Sequence, residues 1–564
     1  MNTARIAVAQ INTVVGDLSG NTQKILFCMN EAVQKNADII VFPELAVTGY
    51  PPEDLLLKPH FVKENLRYLA KITSAAKDII AVVGFVAGSD GSIYNSAAIM
   101  SDKKINYIYN KKHLPNYGVF DEKRYFKAGT ENALLKAKDF SFAVNICEDI
   151  WIPKIGSVDK DLLSQADFLV NISASPYHMD KIKERQQILV KKATELKIPV
   201  IYCNLIGGQD ELVFDGRSVI FSEKGRLIAK AKAFEEDLLI IDMPIDTKKN
   251  RKKRNKVKIV SINYRIKEKK DFLRCPDIRH MGRVEEMYTA LVVGLRDYVR
   301  KNNFNKVALG ISGGIDSALV VCIAVEALGA PNVLAVSMPS RYSSEYTQSD
   351  AEKICKNLGI RFARIPIDNI FNAYLDTLNI HFTGMAPDKA EENIQARIRG
   401  NILMAFSNKF GHLVLNTGNK SETSVGYCTL YGDMAGGFSV IKDVPKNLVY
   451  ELGKFVNSKS EKKLIPETVF ERAPSAELRP GQKDQDTLPP YKLLDRIIDL
   501  YIEKNKSFSE IVKRLKHEDI VKEILHMVDM NEYKRRQSPP GIKITPMAFG
   551  KDRRMPITNK FMET

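Results

Sequence analysis

The chain has 564 residues, 44% of them hydrophobic and 27% charged, which excludes wholesale disorder and leaves room for about two to four domains. Lys and Arg number 84 against 68 Asp and Glu, a net +16 that suits nucleic acid, an anionic membrane or polyphosphate ligands, so its location matters more than its size. Seven irregularly spaced cysteines exclude a disulfide framework and point to a reducing, cytoplasmic setting. With no basic leader and no run of about 18 apolar residues, neither a signal peptide nor a membrane span is expected.

Taken in chain order, Arg5–Gln10, Asp38–Phe42, Ile79–Val86, Ser141–Ile146, Asp167–Ile172 and Val200–Ile206 are short apolar runs that read as buried strands. Gln23–Gln34 and Pro59–Ala76 carry helical periodicity between them. The alternation predicts an α/β layered domain over residues 1–247, with reactive residues at strand ends. Lys248–Lys270 then holds twelve Lys or Arg against one acid, Glu268, a net +11 that leaves the rest of the chain near balance. Its single aromatic, Tyr264, is too few for the stacking platforms of a single-strand binder. The segment 248–272 therefore reads as a solvated linker, and no nucleic-acid partner is expected.

From 273 to 564 the pattern becomes strand–loop–helix. Lys306–Ile311 reads as a strand, Ser312–Asp316 as a turn and Ser317–Leu328 as an apolar helix ended by Gly329. Strand Asn332–Met338, helix Glu345–Asn357, strand Arg361–Ile367, helix Ala390–Phe406 and strand His412–Asn416 follow. Such alternation predicts a doubly wound, Rossmann-like parallel sheet whose ligands sit beyond the carboxyl ends of its strands.

In the first domain three ionisable residues follow apolar strands: Glu44, Lys111 and Cys147. Attack on an unactivated amide needs a thiolate, a group that takes and returns its proton, and a cation beside the tetrahedral oxyanion. Cys147 as nucleophile, Glu44 as base and Lys111 as oxyanion partner supply all three. The flanks Phe-Pro-Glu-Leu-Ala-Val-Thr-Gly-Tyr (42–50), Lys-Lys-His-Leu-Pro-Asn-Tyr-Gly-Val-Phe-Asp-Glu (111–122) and Ile-Cys-Glu-Asp-Ile-Trp (146–151) resemble the signature segments of the nitrilase superfamily, in its glutamine-amidase branch. The resemblance covers about residues 1–245 and implies an αββα sandwich. It also implies Lys111 rather than Lys112 as the acting lysine, and Tyr117, Ser175 and Lys181 as the glutamine-binding residues.

In the second domain, Gly310 at a strand end leads into Ser312-Gly313-Gly314-Ile315-Asp316-Ser317. The glycines let backbone N–H groups converge, and the following helix N-terminus favours phosphate. A Walker loop needs a Lys that is missing here, so γ-phosphate transfer is a poor reading. Asp316 at the helix start repels phosphate unless a cation intervenes, which argues for Mg²⁺. The hexapeptide resembles the signature of the N-type ATP pyrophosphatases, which split ATP between the α and β phosphates to adenylylate a substrate oxygen. Glu392–Arg399, Asn416–Glu422, Gly426–Asp433, Pro474–Leu478 and the tail Tyr533–Gly541 resemble the NAD synthetase members of that group. Carried over by position, Asn393, Glu422 and Lys534 contact deamido-NAD, Thr417 joins Ser312, Gly313, Gly314, Asp316 and Ser317 at ATP, and Asp316 with Glu422 holds Mg²⁺. Leu430 departs from the small ammonia-dependent synthetases, which place a Lys there.

An amidase releases ammonia, and an adenylylating domain makes a carboxylate electrophilic but needs a nitrogen nucleophile. Producing one beside the other is chemically useful, because water competes for an acyl adenylate. The whole-chain order resembles the glutamine-dependent NAD synthetases, and implies a homo-oligomer, with eight subunits expected for this branch. Two alternatives stay open: an amidotransferase that adenylylates a different carboxylate or carbonyl, and an RNA-associated protein using the basic segment.

Overall fold

Alternating apolar runs in the first half of the chain build two sheets that share one core. The computed structural model describes residues 3–89, 91–153, 156–245, 257–269, 271, 273, 280–561 and 563. The chain divides into two units, Met1–Gln209 with Val213–His280, and Asp210–Leu212 with Met281–Thr564.

In the first unit a six-stranded sheet runs in the order Asp237–Pro244, Thr3–Gln10, Ile39–Val41, Ile80–Ser89, Ser92–Ser101, Lys104–Asn110. A seven-stranded sheet runs Leu227–Lys230, Val219–Phe221, Val200–Asn204, Phe168–Ser173, Ser141–Ile146, Leu134–Lys136, Ile259–Ser261. Their inner faces interdigitate: Ile6, Val8, Val41, Val82 and Ile99 of one pack with Phe142, Val144, Val170, Ile172 and Cys203 of the other, all buried. Helices Leu18–Gln34 and Pro59–Ala75 lie with the first sheet, and Lys181–Leu196 packs Leu189, Ala193 and Leu196 on the outer face of the second. This is the αββα sandwich. Each predicted strand of this half is present within a few residues of its expected bounds.

The basic segment departs from a solvated linker. Residues 248–256, 270 and 272 lie outside the described residues, but Ile259–Ser261 pairs parallel with Leu134–Lys136 as an edge strand. Val260, Tyr264 and Ile266 pack against the sandwich core. Asp38, wholly buried, accepts from the Tyr264 hydroxyl at 3.2 Å and the Lys267 amide at 3.0 Å, and pairs with Lys269 Nζ at 2.6 Å. Charge density hid an apolar alternation that the sandwich uses. Removing one partner of a buried ion pair strands the other, so Lys269→Met should destabilise the first unit by about 3 kcal/mol, read by urea denaturation. An unchanged midpoint would return this stretch to the linker reading.

The second unit is built on five parallel strands in the order Arg361–Arg364, Val333–Ser337, Val307–Gly310, Leu413–Asn416, Phe438–Ser439. The order reverses at Val307–Gly310, so the loops after this strand and after Leu413–Asn416 open at the switch point where doubly wound sheets bind ligands. Helix Ile315–Leu328 is apolar on all sides because it is buried on nearly all sides. Helix Lys389–Phe410 starts at a capping box between Asp388 and Glu391 and ends at left-handed Gly411. Helices Arg283–Lys301, Asp368–Phe382, Lys420–Val425, Lys446–Ser458 and Glu467–Glu471, and the C-terminal group Tyr491–Ile498, Phe508–Leu515, Glu518–Met530 and Glu532–Arg535, also belong to the unit and were not among the sequence expectations.

Candidate active sites

In the first unit strand ends from both sheets of the sandwich bring Glu44, Lys111 and Cys147 together. Lys111 follows the Lys104–Asn110 strand and its ammonium reaches Glu44 Oε1 at 2.7 Å, with both side chains wholly buried. Lys112 instead points to the surface and pairs with Asp159 at 2.6 Å. Glu44 is held on both oxygens: Asn95 Nδ2 donates to Oε1 at 2.7 Å and the Ala174 amide to Oε2 at 2.8 Å. Cys147 caps the Ser141–Ile146 strand with φ at +42°, a left-handed conformation costly for a residue with a Cβ and characteristic of functional turns. Its amide donates to Ile172 O at 2.9 Å.

Burial pushes the Cys147 thiol well above its ordinary range, and Glu44 adds to this while Lys111 works against it. The thiol is therefore neutral at rest and needs a base at the moment of attack. Burial disfavours the Lys111 charge too, but Glu122, Glu44 and Cys147 together raise it, so the ammonium persists.

Glu122 is the residue that sequence reasoning did not assign. It accepts from Lys111 Nζ at 2.8 Å and from the Tyr50 hydroxyl at 3.1 Å, so Lys111 is clamped between two carboxylates. Burial raises the Glu122 carboxyl to about 7, with Lys111 pulling it down and Glu44 pushing it up. The segment 111–122 contained it, but a lone Glu eleven residues beyond a Lys carries no spacing rule that marks it.

Tyr117, Ser175 and Lys181 stand around the Cys147 turn. The exposed Tyr117 hydroxyl donates to Glu148 Oε2 at 2.9 Å, and Lys181 Nζ lies 4.0 Å from the Trp151 ring centroid, so both touch the short helix Glu148–Trp151 behind the cysteine. Burial lowers the Lys181 ammonium. Ser175 is buried, its amide on Asn204 Oδ1 at 2.9 Å, next in chain to the Ala174 amide on Glu44.

In the second unit the Ser312–Ser317 turn closes on itself. The Gly314 amide donates to Ser312 Oγ at 3.2 Å, and Ser317 Oγ to Gly314 O at 3.1 Å. Gly313 has φ of +84°, and a Cβ there would lie 2.1 Å from Thr347 O, so only glycine fits. Thr417, half-buried, follows the adjacent strand Leu413–Asn416. Asp316 and Glu422 meet through a residue the sequence did not flag: Lys446 Nζ lies 2.5 Å from Asp316 Oδ2 and 2.9 Å from Glu422 Oε1. Asn419 Nδ2 donates to Asp316 Oδ1 at 2.9 Å, and the Tyr491 hydroxyl to Glu422 Oε1 at 3.2 Å. Burial raises the Glu422 carboxyl to about 7, opposed by Lys446 and reinforced by the Asp316 charge.

Asn393 accepts from Thr429 Oγ1 at 2.7 Å. Lys534 Nζ donates to the carbonyls of Gly426 and Cys428 at 2.7 and 2.9 Å, fastening the 426–433 loop. In that loop Tyr431, exposed with φ of +63°, follows Leu430.

Among the described residues no helix is long and apolar enough to cross a membrane. Residues 5–253 match the carbon-nitrogen hydrolase family and residues 287–538 the NAD synthase family. The chain is 47% identical to a glutamine-dependent NAD(+) synthetase of Thermotoga maritima, over the full length of both. It is 48% identical to the Aquifex aeolicus protein of the same description, covering 99% of this chain and 100% of the relative. The solved structure of a glutamine-dependent NAD(+) synthetase from Acinetobacter baumannii, in complex with ADP, matches all of both chains at 41% identity and a TM-score of 0.76. With a buried Glu–Lys–Cys cluster in one unit, a glycine turn at the switch point of the other, and identity of this extent across both, the chain belongs to the family of glutamine-dependent NAD(+) synthetases.

Proposed function

We propose that the chain hydrolyses glutamine at Cys147 and uses the ammonia, with ATP, to convert deamido-NAD into NAD, AMP and pyrophosphate. The observation that carries this is the buried Glu44–Lys111–Cys147 cluster on the same chain as a phosphate turn whose Asp316 converges with Glu422.

In the first unit Glu44 takes the Cys147 proton as sulfur attacks the amide carbon, and Lys111 faces the oxyanion. Glu44 returns the proton to the departing ammonia, leaving a glutamyl thioester. It then deprotonates the water that releases glutamate and restores the thiol. Tyr117, Ser175 and Lys181 hold glutamine by the family resemblance, and their placement around the Cys147 turn supports that reading.

In the second unit the backbone amides of Ser312–Ser317 receive the triphosphate, with Gly310 at the strand end beneath it and Thr417 beside it. Asn393, Glu422 and Lys534 are assigned to deamido-NAD. The nicotinate carboxylate attacks the α-phosphorus, pyrophosphate leaves, and ammonia displaces AMP at the acyl carbon. Asp316 and Glu422 fit Mg²⁺: their oxygens converge on one cation, and Mg²⁺ is commonly held by one or two carboxylates plus substrate phosphates. The ion would neutralise the triphosphate, and Lys446 would then be free to turn to a phosphate oxygen. A homo-oligomer, eight subunits by resemblance, is supported by apolar Ile370, Tyr374, Ile380, Met385 and Phe410 standing exposed on and between helices Asp368–Phe382 and Lys389–Phe410. A thiol nucleophile suits the reducing cytoplasm.

The test is NAD formation by the purified chain from deamido-NAD and ATP, with glutamine or ammonium as nitrogen source. Turnover of other carboxylates in place of deamido-NAD would favour a different amidotransferase. Glu122 adds a pH signature. Below about 7 its carboxyl is protonated and holds Lys111 less firmly, so glutamine hydrolysis should rise through that pH and then level. Glu122→Gln should lose this limb and fall about 100-fold in kcat/KM. A variant that keeps the limb would assign it to another group.

A further inference from the structure

One buried carboxylate near the Cys147 turn has no part in the chemistry above, yet it is saturated with donors. Asp149 sits two residues after Cys147, its side chain 5% exposed. Its Oδ2 accepts from the Ile146 amide at 3.0 Å and the Tyr109 hydroxyl at 2.9 Å. Its Oδ1 accepts from the amides of Lys112 at 3.2 Å and His113 at 2.9 Å, and the His113 ring Nδ1 lies 2.9 Å from the same oxygen. Ile146 is the residue before Cys147, and Lys112 the residue after Lys111. The two peptide segments belong to different sheets of the sandwich.

We propose that Asp149 is a positioning residue for glutamine hydrolysis, which stitches the Cys147 turn to the Lys111 segment and so fixes sulfur relative to ammonium. The proposal rests on the reading of Cys147 as nucleophile. Five donors fill the roughly four lone-pair sites of a carboxylate, so no oxygen is left for substrate and Asp149 is not itself catalytic. Each bond is charge-assisted, and together they hold both segments to one rigid group. Lys111 is fixed on its other side by its own amide on Asn95 O at 2.8 Å. An amide in place of the carboxylate turns an NH₂ toward N–H or O–H donors, leaves at least one backbone donor unpaired and lets the two segments part.

The experiment uses the full-length protein and its Asp149→Asn and Tyr109→Phe variants. Glutamine hydrolysis, alkylation of Cys147 by iodoacetamide, ammonium-driven NAD formation and thermal melting are measured on each. Cys147→Ala serves as the blank for alkylation. A displacement near 1 Å costs about 100-fold in rate, so Asp149→Asn should lose about that in glutaminase kcat with KM changed by less than about threefold. Alkylation of Cys147 should slow in parallel, while ammonium-driven NAD formation stays at the parental rate and thermal melting certifies the fold of the first unit. Tyr109→Phe, which deletes one donor of five, should show a parallel loss of about threefold, and it decides the matter if Asp149→Asn does not fold. A variant that melts earlier yet hydrolyses glutamine and alkylates at parental rates makes Asp149 merely structural and overturns the proposal. If the parent neither hydrolyses glutamine nor is alkylated at Cys147, the nucleophile assignment fails instead.

Discussion

Cys147→Ala should make no NAD from glutamine above background, a loss on the order of 10⁵-fold, and should make it at the parental rate from ammonium salt at mildly alkaline pH. The reason is the division of labour between two sites that share no residue. The thiol is the group assigned to the acyl-enzyme, and the nearest carboxylates, Glu44 and Glu122, are already bound to Lys111 and do not replace it. The alanine leaves the turn intact, because the Cys147 contacts that hold it are made by backbone atoms. Adenylylation is assigned to Asp316, Glu422 and the Ser312–Ser317 turn, none of which the substitution touches. Cys203→Ala is the matched control. That cysteine is also buried and its thiol also raised by burial, but it lies within the inter-sheet core beside the carbonyls of Ala9 and Val41. Its loss should lower stability by about 1 kcal/mol and spare both activities. If Cys147→Ala kept glutamine-driven synthesis, or lost both activities while folded, the two-site reading would have to be abandoned.

What could be read in advance followed a physical rule. Glu44, Lys111 and Cys147 were legible as a group because each lies within three residues of a strand end, and strand ends are where a layered α/β fold presents side chains. The Ser312–Ser317 turn was legible because its glycines and serines stand in consecutive residues between a strand and a helix. Glu122 and Lys446 were not, because each matters only for what the fold brings to it, Tyr50 from 72 residues away and Asp316 from 130, or for an unmarked spacing nearby. Lys446 opens an ordinary-looking helix after Pro445, and nothing local says that its ammonium ends between Asp316 and Glu422. Asp149 shows the same limit at short range. Its place in Ile-Cys-Glu-Asp-Ile-Trp is obvious, but all its donors except the Ile146 amide come from the Tyr109–His113 segment, which belongs to the other sheet. The basic segment misled for the opposite reason, since a local property, charge, outweighed a three-residue strand whose partner lies more than a hundred residues earlier.

Asp316→Ala should abolish NAD formation from glutamine and from ammonium alike, by at least about 10³-fold, while glutamine hydrolysis continues. Asp316 opens the helix beneath the proposed triphosphate, and its carboxylate is one of two that converge on Lys446. Removing it does two things that both disfavour a bound cation. It takes away half of the oxygen set assigned to Mg²⁺, and it leaves Lys446 paired with Glu422 alone, at 2.9 Å. The remaining pair is neutral and self-satisfied, so the cation that should bridge carboxylate to phosphate has weaker reason to enter. Raising Mg²⁺ should restore little, because a second carboxylate cannot be supplied from solution. Lys446→Met separates the two effects. It frees both carboxylates and should tighten the Mg²⁺ requirement, yet still slow synthesis through loss of a phosphate-facing cation. The measurements are NAD formation against Mg²⁺ concentration with ammonium as donor, and glutamate release in the same samples. Robust NAD synthesis by folded Asp316→Ala would rule out the assignment of Asp316. Simultaneous loss of glutamate release would mean instead that the two chemistries are coupled more tightly than their separate residues imply.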